Sequence, residues 1–165
     1  MSKNSEKRSN VKPLQLDTLL GVLEKSEGVE MFQSIYAEIE GVKKDITEKG
    51  NLSCGFFVSG VLAIFGLIDR LHGTVSGTVS AMERSGWQKT GNLSPGAVIV
   101  WGPPVDGSFS HDHIGFYLGD QQAISNIWQK RVPGKHHVTF GAQGTKTYRP
   151  ILAVYGHNEL SSNNG

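Results

Sequence analysis

Three side chains of this sequence are of types that together transfer acyl groups: a thiol, an imidazole and an amide. Cys54 is the single cysteine of the chain and stands at the front of a long apolar run. His113 opens the apolar and aromatic stretch HIGFYLG, and Asn126 lies in the next apolar stretch, AISNIW. A nucleophilic thiol needs a base, and the base needs a group that orients it. We therefore predict Cys54 as nucleophile, His113 as base and Asn126 as the orienting residue.

The position of Cys54 favours a reactive thiol. The apolar residues from Cys54 to Ile68 cover nearly the whole circumference of a helix, which predicts a helix central in the core. A cysteine at the start of such a helix meets the positive end of the macrodipole and unpaired N–H groups, and both favour the thiolate. The residue alone leaves another interpretation open, because a lone cysteine among apolar residues is usually a small, inert core residue.

The pairing of His113 with its orienting residue depends on a hairpin. The tight turn GDQQ joins the two strands, so His113 and Asn126 can face each other across the pair. Strict alternation places either Ser125 or Asn126 on the face of His113, depending on one residue in the turn. Asn126 is preferred because its amide is the better orienter of an imidazole. The chain order cysteine, histidine, asparagine is that of papain-like enzymes.

The elements that position these residues are predicted as helices first and strands afterwards. Apolar residues at i, i+3, i+4 and i+7 predict a helix from Leu14 to Lys25, and a hairpin turns at Glu40-Gly41. The other predicted helices begin near Ser53 and cover Val75 to Arg84. The predicted strands are 97–101, 113–119, 123–128 and 151–157. This order predicts an α+β fold with the helices packed on one face of an antiparallel sheet.

Length and composition narrow the classes of protein. The 165 residues predict one domain over 13–158, with a disordered lead-in at 1–12 and a loose tail at 159–165. Sixteen Lys and Arg against 15 Asp and Glu give a net charge of +1, which argues against a nucleic-acid partner. One cysteine allows neither an internal disulfide nor a thiolate zinc cage. We expect no cofactor.

The sequence contains neither an apolar run long enough to span a membrane nor a recognisable secretory signal peptide. The apolar run from Cys54 to Ile68 is shorter than the roughly 20 residues of a membrane span, so we expect no span. The polar N-terminal residues lack the apolar core of a secretory signal peptide. We therefore expect the protein to act inside the cell, unless a dedicated system exports it or lysis releases it. The oligomeric state stays open.

Three segments together resemble the NlpC-type cell-wall peptidases. LSPGAVIVW resembles the proline-glycine strand entry of that family, and HIGFYLGDQQAIS resembles its histidine strand, hairpin turn and third-residue strand. SCGFFVSGVL stands where the family has its cysteine helix. The resemblance covers about Leu52 to Tyr155, and the related CHAP amidases share the core order. It implies a papain-like α+β fold and a cysteine hydrolase acting on an amide bond of peptidoglycan-type peptides, as an endopeptidase or an amidase.

The chain also departs from the family pattern. Ser53 and Gly55 flank the cysteine where the family usually has aspartate and serine, and Ala97 replaces a usual aspartate. The third catalytic residue is often histidine, and the gap-free register gives Ser125 there, with Asn126 beside it. These departures leave the third residue and the substrate class open.

Three other functions remain alternatives to the hydrolase. A zinc enzyme needs three protein ligands and a water, and His111, His113, His136 and His137 supply nitrogen, although their spacing matches no helix-borne zinc motif. A non-catalytic cell-wall-binding module can use the same fold. An acyltransferase or deamidase would pass through the same acyl-enzyme.

Further residues are assigned to the predicted groove. The Cys54 N–H at the helix start is expected to hold the oxyanion, with Tyr36 as a candidate second donor. Trp101, Tyr117 and Trp128 are candidates for lining the groove.

Overall fold

The computed structural model describes residues 11–143 and 146–161, and within them the chain is an α+β protein with three α-helices. The helices are α1 Gln15–Lys25, α2 Cys54–Ile64 and α3 Val75–Arg84, followed late in the chain by a 3-10 turn at Asn158–Leu160. The strands are β1 Tyr36–Ile39, β2 Val42–Asp45, β3 Gln88–Lys89, β4 Val98–Trp101, β5 His113–Gly119, β6 Gln122–Ile127, β7 Val132–His137, β8 Ala142–Gln143, β9 Lys146–Thr147 and β10 Ile151–Gly156.

One six-stranded sheet organises the molecule, in the order β3-β10-β4-β5-β6-β7, and every neighbouring pair is antiparallel. Strands β1 and β2 form the separate hairpin predicted at Glu40-Gly41, where both residues have positive φ. The predicted α+β class and antiparallel sheet are confirmed.

The two faces of the sheet bury different partners. Val98, Val100, Ile114, Phe116 and Ile124 pack with the helices in the larger core, which also holds Leu19 and Leu23 of α1 and Ala81 and Met82 of α3. The opposite face carries Ile99, Trp101, Tyr117 and Ala123, which are covered by Val138 and Phe140 from the segment after β7. Alternation along the strands produces this division, because successive side chains point to opposite faces.

Helix α2 lies at the centre of the larger core, as the apolar sequence predicts. Phe57, Val58, Val61 and Leu62 are fully buried. The helix ends at Ile64 rather than continuing to Ile68, because Gly66 adopts a positive φ of 67° that closes the last turn. Within the described part of the chain, no helix is long and apolar enough to cross a membrane.

The ends of the predicted domain differ from the expectation in one respect. The expected lead-in falls mostly on residues 1–10, which lie outside the described residues, as do 162–165 of the expected tail. Leu160 was predicted to be in that loose tail, but it is 6% exposed and belongs to the larger core.

Candidate active site

A groove of about 710 Å³ opens at the N-terminal end of α2 and brings together residues from distant parts of the chain. All three predicted catalytic residues line it, together with Phe109, Trp128, Phe140 and Arg149. Helix α2 contributes the thiol and strand β5 contributes the imidazole, and these two elements pack against each other.

Cys54 is the first residue of α2 and is partly buried. Gly55 allows this end of the helix to press against the segment before α3, since a Cβ there would lie 2.6 Å from the carbonyl carbon of Thr74. The backbone N–H groups of Gly55, Ile114 and Cys54 itself are directed at the sulfur and lower its pKa. Burial acts more strongly and raises the pKa of the thiol above its ordinary value. Burial therefore favours the thiol over the thiolate that the helix start was expected to favour.

The hydrogen-bond partner of His113 is Ser125. The β5–β6 register pairs Gly115 with Ser125, so the side chains of His113 and Ser125 share one face of the sheet. The His113 Nε2 lies 2.8 Å from the Ser125 hydroxyl oxygen, and Ser125 is fully buried. The prediction that Asn126 orients His113 is therefore corrected: one position along the strand turns the Asn126 side chain to the other face.

Asn126 has a different contact at the same groove. Its Nδ2 donates to the carbonyl oxygen of Gly50 at 2.8 Å, and its buried Oδ1 has no hydrogen-bond partner among the described residues. Gly50 has a φ of 91° and belongs to the turn that leads into α2. Asn126 thus fastens β6 to the turn that precedes the cysteine.

A second histidine, which the sequence analysis did not place in the site, extends the contact of His113. The Ser125 hydroxyl also lies 2.7 Å from Nε2 of His136, on β7. The Nδ1 of His136 lies 2.8 Å from the carbonyl oxygen of His137. The sequence analysis recognised His136 only as a possible zinc ligand, because its strand was not predicted.

The donor and acceptor of each hydrogen bond between His113, Ser125 and His136 follow from the last contact, in which the acceptor is a backbone carbonyl oxygen. A carbonyl only accepts, so His136 donates from Nδ1, and its neutral ring must accept at Nε2. The Ser125 hydroxyl therefore donates to His136 and accepts from the Nε2–H of His113. In this tautomer the Nδ1 of His113 carries the lone pair. We call His113, Ser125 and His136, ending on the His137 carbonyl, the imidazole relay.

Both rings of the imidazole relay are neutral at physiological pH. Burial, the positive charge of Arg149 and the neighbouring His136 lower the pKa of His113 from 6.5 to about 3. Burial is also the main reason that the pKa of His136 falls to about 4, with a backbone hydrogen bond opposing it. The neutral forms are those that the relay requires.

Two glycines make room for the relay. Gly115 and Gly134 are the cross-strand partners of Ser125 on either side. A Cβ on Gly115 would lie 2.7 Å from the Ser125 Cβ, and one on Gly134 would lie 2.8 Å from the Ile127 Cγ1. His113 and His136 are each two residues along the strand from one of these glycines, and from these diagonal positions both reach the serine hydroxyl.

The aromatic residues predicted at the groove have different positions. Trp128 lines the groove, is 45% exposed and packs edge-on against Phe109. Trp101 is fully buried and donates from Nε1 to the Val138 carbonyl at 2.8 Å, so it belongs to the core. Tyr117 is also buried.

Tyr36, the candidate oxyanion donor, is 62% exposed, and the ammonium of Lys43 lies over its ring. It is absent from the groove lining, so it is not placed to act as that donor.

In the described ranges, no three His, Cys, Asp or Glu side chains converge as a metal-ion site. His111 and His113, which the zinc alternative used, both line the groove. His113 instead has its Nε2 committed to Ser125.

Comparison with known protein families found no family model that matches this chain. Comparison with curated proteins found no match either.

Proposed function

We propose that this protein is a cysteine hydrolase of the papain-like, NlpC type that cleaves an amide bond in peptidoglycan-type peptides. The observation that carries the proposal is the imidazole relay, which opens into the same groove as the only thiol of the chain. The relay leaves the Nδ1 lone pair of His113 available as the base.

The reaction begins from a neutral pair. The Cys54 thiol gives its proton to Nδ1 of His113 as the sulfur attacks the amide carbon, and the carbonyl oxygen becomes an oxyanion. The amine then leaves with the proton from His113, and a thioester remains on Cys54. Water attacks the thioester, gives a proton to His113 and releases the carboxylic acid, and the thiol regains its proton.

The relay assists each proton transfer. When Nδ1 of His113 takes up a proton, the imidazolium donates from Nε2 to the Ser125 hydroxyl, whose own proton is already directed at His136. The low pKa of His113 opposes its uptake of the proton from Cys54 and favours return of that proton to the leaving amine. The Cys54 backbone N–H at the start of α2 is the expected oxyanion donor.

The resemblance to NlpC-type peptidases is what directs the proposal to peptidoglycan. The gap-free register of that resemblance places the third catalytic residue at Ser125, and Ser125 is the residue that contacts His113. A deamidase or an acyltransferase remains an alternative, because the groove supplies the same thioester to either.

The test is digestion of purified peptidoglycan and soluble muropeptides, followed by mass spectrometry. Wild-type protein should produce paired new amine and carboxylate ends, and Cys54→Ala and His113→Ala should not. Release of ammonia without chain cleavage would replace the proposal by a deamidase. Binding to peptidoglycan without any product would replace it by the binding module.

A further inference from the structure

We propose that Arg149 forms a subsite for a carboxylate group of the substrate, beside Cys54 and His113. This inference deepens the proposed function and rests on it for the identity of the substrate: a peptide with a free carboxylate close to the scissile amide. Arg149 has no place in the reaction steps above, and the sequence analysis did not single it out.

Arg149 is held in the groove by its own contacts. The residue lines the groove and is 8% exposed. Its Nη1 donates to the carbonyl oxygens of Gly102 at 2.9 Å and His111 at 3.1 Å. These carbonyls lie at the two ends of the β4–β5 connection, so the guanidinium is fixed relative to His113, which opens β5.

No carboxylate of the described residues is in contact with Arg149, and Asp106 and Asp112 act on its charge only from a distance. Among the described residues, the ion pairs within 4.0 Å involve Asp69, Glu24 and Glu27 but not Arg149. Asp112 also lines the groove, but it lies beyond that distance. Burial of a charge without a partner is costly, and the cost is recovered when a ligand supplies the opposite charge.

The unused donors of Arg149 match a carboxylate. A guanidinium carries five N–H groups, and the two carbonyl contacts use Nη1 alone. Within the described chain, Nε and Nη2 have no acceptor, and together they form the edge that binds a carboxylate through two parallel hydrogen bonds. The guanidinium carbon of Arg149 lies over the Phe140 ring, 5.8 Å from the ring centroid.

The subsite lies near the scissile bond. Arg149 lines the same groove as Cys54 and His113. Its positive charge contributes to the lowered pKa of His113 and opposes, as a minor contribution, the rise that burial causes in the pKa of Cys54. A carboxylate bound there would be a neighbour of the carbonyl that Cys54 attacks. The corresponding carboxamide would lose the charge and one acceptor, so it should bind more weakly.

The first experiment uses two alkylating reagents of nearly equal shape, iodoacetate and iodoacetamide, on the single cysteine. In both reactions the Cys54 sulfur displaces iodide and forms a C–S bond, and only iodoacetate carries a carboxylate. The readout is the ratio of the two rates at pH 8.5, divided by the same ratio for N-acetylcysteine amide. The ratio cancels changes in the intrinsic reactivity of the thiol.

We expect a normalised ratio of about 10 or more in the wild type, a ratio near 1 in Arg149→Met and an intermediate ratio in Arg149→Lys. His113→Ala should retain the preference, which separates the charge of Arg149 from that of an imidazolium. A wild-type ratio near 1 would overturn the inference. So would a preference that survives Arg149→Met and disappears in His113→Ala.

Two further experiments test the subsite without relying on the Arg149→Met variant, which could misfold. On the wild type alone, N-acetylalanine should slow labelling by iodoacetamide and N-acetylalanine amide should not; equal effects would contradict the subsite. If muropeptides are cleaved, those with free carboxylates should have a kcat/KM about 10-fold above that of their amidated forms, and equal values would also contradict it. The alkylation ratio needs no hydrolysis, so absence of cleavage would remove the proposed function without deciding the ratio.

Discussion

Replacing Ser125 by alanine removes the one hydroxyl group that joins the two half-buried imidazoles of the relay. The substitution deletes the contacts of 2.8 Å to His113 and 2.7 Å to His136 and leaves a nitrogen of each ring without its partner. The exposed fraction of Ser125 is 0%. Water therefore does not replace the hydroxyl in the native packing. Both stability and the tautomer of His113 should change.

The magnitude follows from these two contacts. A buried polar group left without a partner costs about 1–3 kcal/mol, so two imidazole nitrogens should lower the free energy of unfolding by about 2–6 kcal/mol. For a domain of this size, that corresponds to a fall in Tm of roughly 6–18 °C. Loss of the hydrogen bond that selects the His113 tautomer should cost about 1.4–3 kcal/mol in the proposed reaction, which is roughly a 10- to 100-fold loss of kcat/KM.

Ser59 supplies a matched control. It is also fully buried, and its hydroxyl also makes two short hydrogen bonds, at 2.8 Å to the carbonyl oxygen and 2.7 Å from the N–H of His72. Ser59→Ala should therefore lose a similar amount of stability. It should leave the tautomer of His113 unchanged, because neither contact belongs to the relay.

The assays are thermal unfolding, muropeptide cleavage and the ¹⁵N chemical shifts of the imidazole nitrogens, which distinguish a protonated from an unprotonated nitrogen. In the wild type, His113 should be protonated at Nε2 and His136 at Nδ1, and Ser125→Ala should lose this pattern at His113. The reasoning is refuted if Ser125→Ala keeps the pattern and at least half of the wild-type activity. It is also refuted if Ser59→Ala loses as much activity as Ser125→Ala.

Three further predictions concern the packing and the charge of the site. Gly115→Ala should lower the free energy of unfolding by about 2 kcal/mol or more in urea titrations, because its Cβ would lie 2.5 Å from a backbone oxygen of β6. The control is Gly21→Ala in α1, where a Cβ would meet nothing within 4 Å; it should raise the free energy of unfolding by about 0.5–1 kcal/mol. Because the pKa values of His113 and His136 are lowered in the folded protein, the unfolded chain binds more protons between pH 6.5 and about 4. The free energy of unfolding should therefore be full above pH 6.5 and fall by a few kcal/mol as the pH drops through that range. Urea midpoints at pH 7.5, 5.5 and 4.5 check this, and midpoints that do not change with pH would contradict it. Asn126→Ala should lower Tm through the turn before α2 and yet preserve the His113 tautomer in ¹⁵N spectra, whereas a changed tautomer would return Asn126 to the relay.

Local patterns were sufficient for the elements that carry strong periodicity. The amphipathic spacing of α1, the continuous apolar run of α2 and the apolar and aromatic stretch of β5 predicted all three within a few residues of their observed bounds. Strand β7 was missed because Pro133 and Gly134 argue against a strand. Its place at the edge of the sheet explains the proline, since an edge strand can leave a backbone donor out of the ladder.

The hydrogen-bond partner of His113 was predicted wrongly for a related reason. The turn between β5 and β6 has positive φ at Asp120 and Gln121, and the register shifts between Tyr117 and Gly119. The turn contains no Asn-Gly or Asp-Gly pair, so the sequence left the β5–β6 register uncertain by one residue. A shift of one residue decides which face of the sheet a side chain occupies. Arg149 carried no signal at all, because only the folded chain shows that its charge is buried.

The choice of serine over asparagine also has a chemical consequence. An asparagine carbonyl only accepts, so it would select the Nε2–H tautomer of His113 without help. A serine hydroxyl both donates and accepts, and by itself it leaves the direction of the proton undecided. His136, whose Nδ1 is committed to a carbonyl, removes that freedom because its Nε2 must take the serine proton. A serine at this position therefore needs a second group that accepts its proton if His113 is to have a defined lone pair, and His136 on β7 is that group.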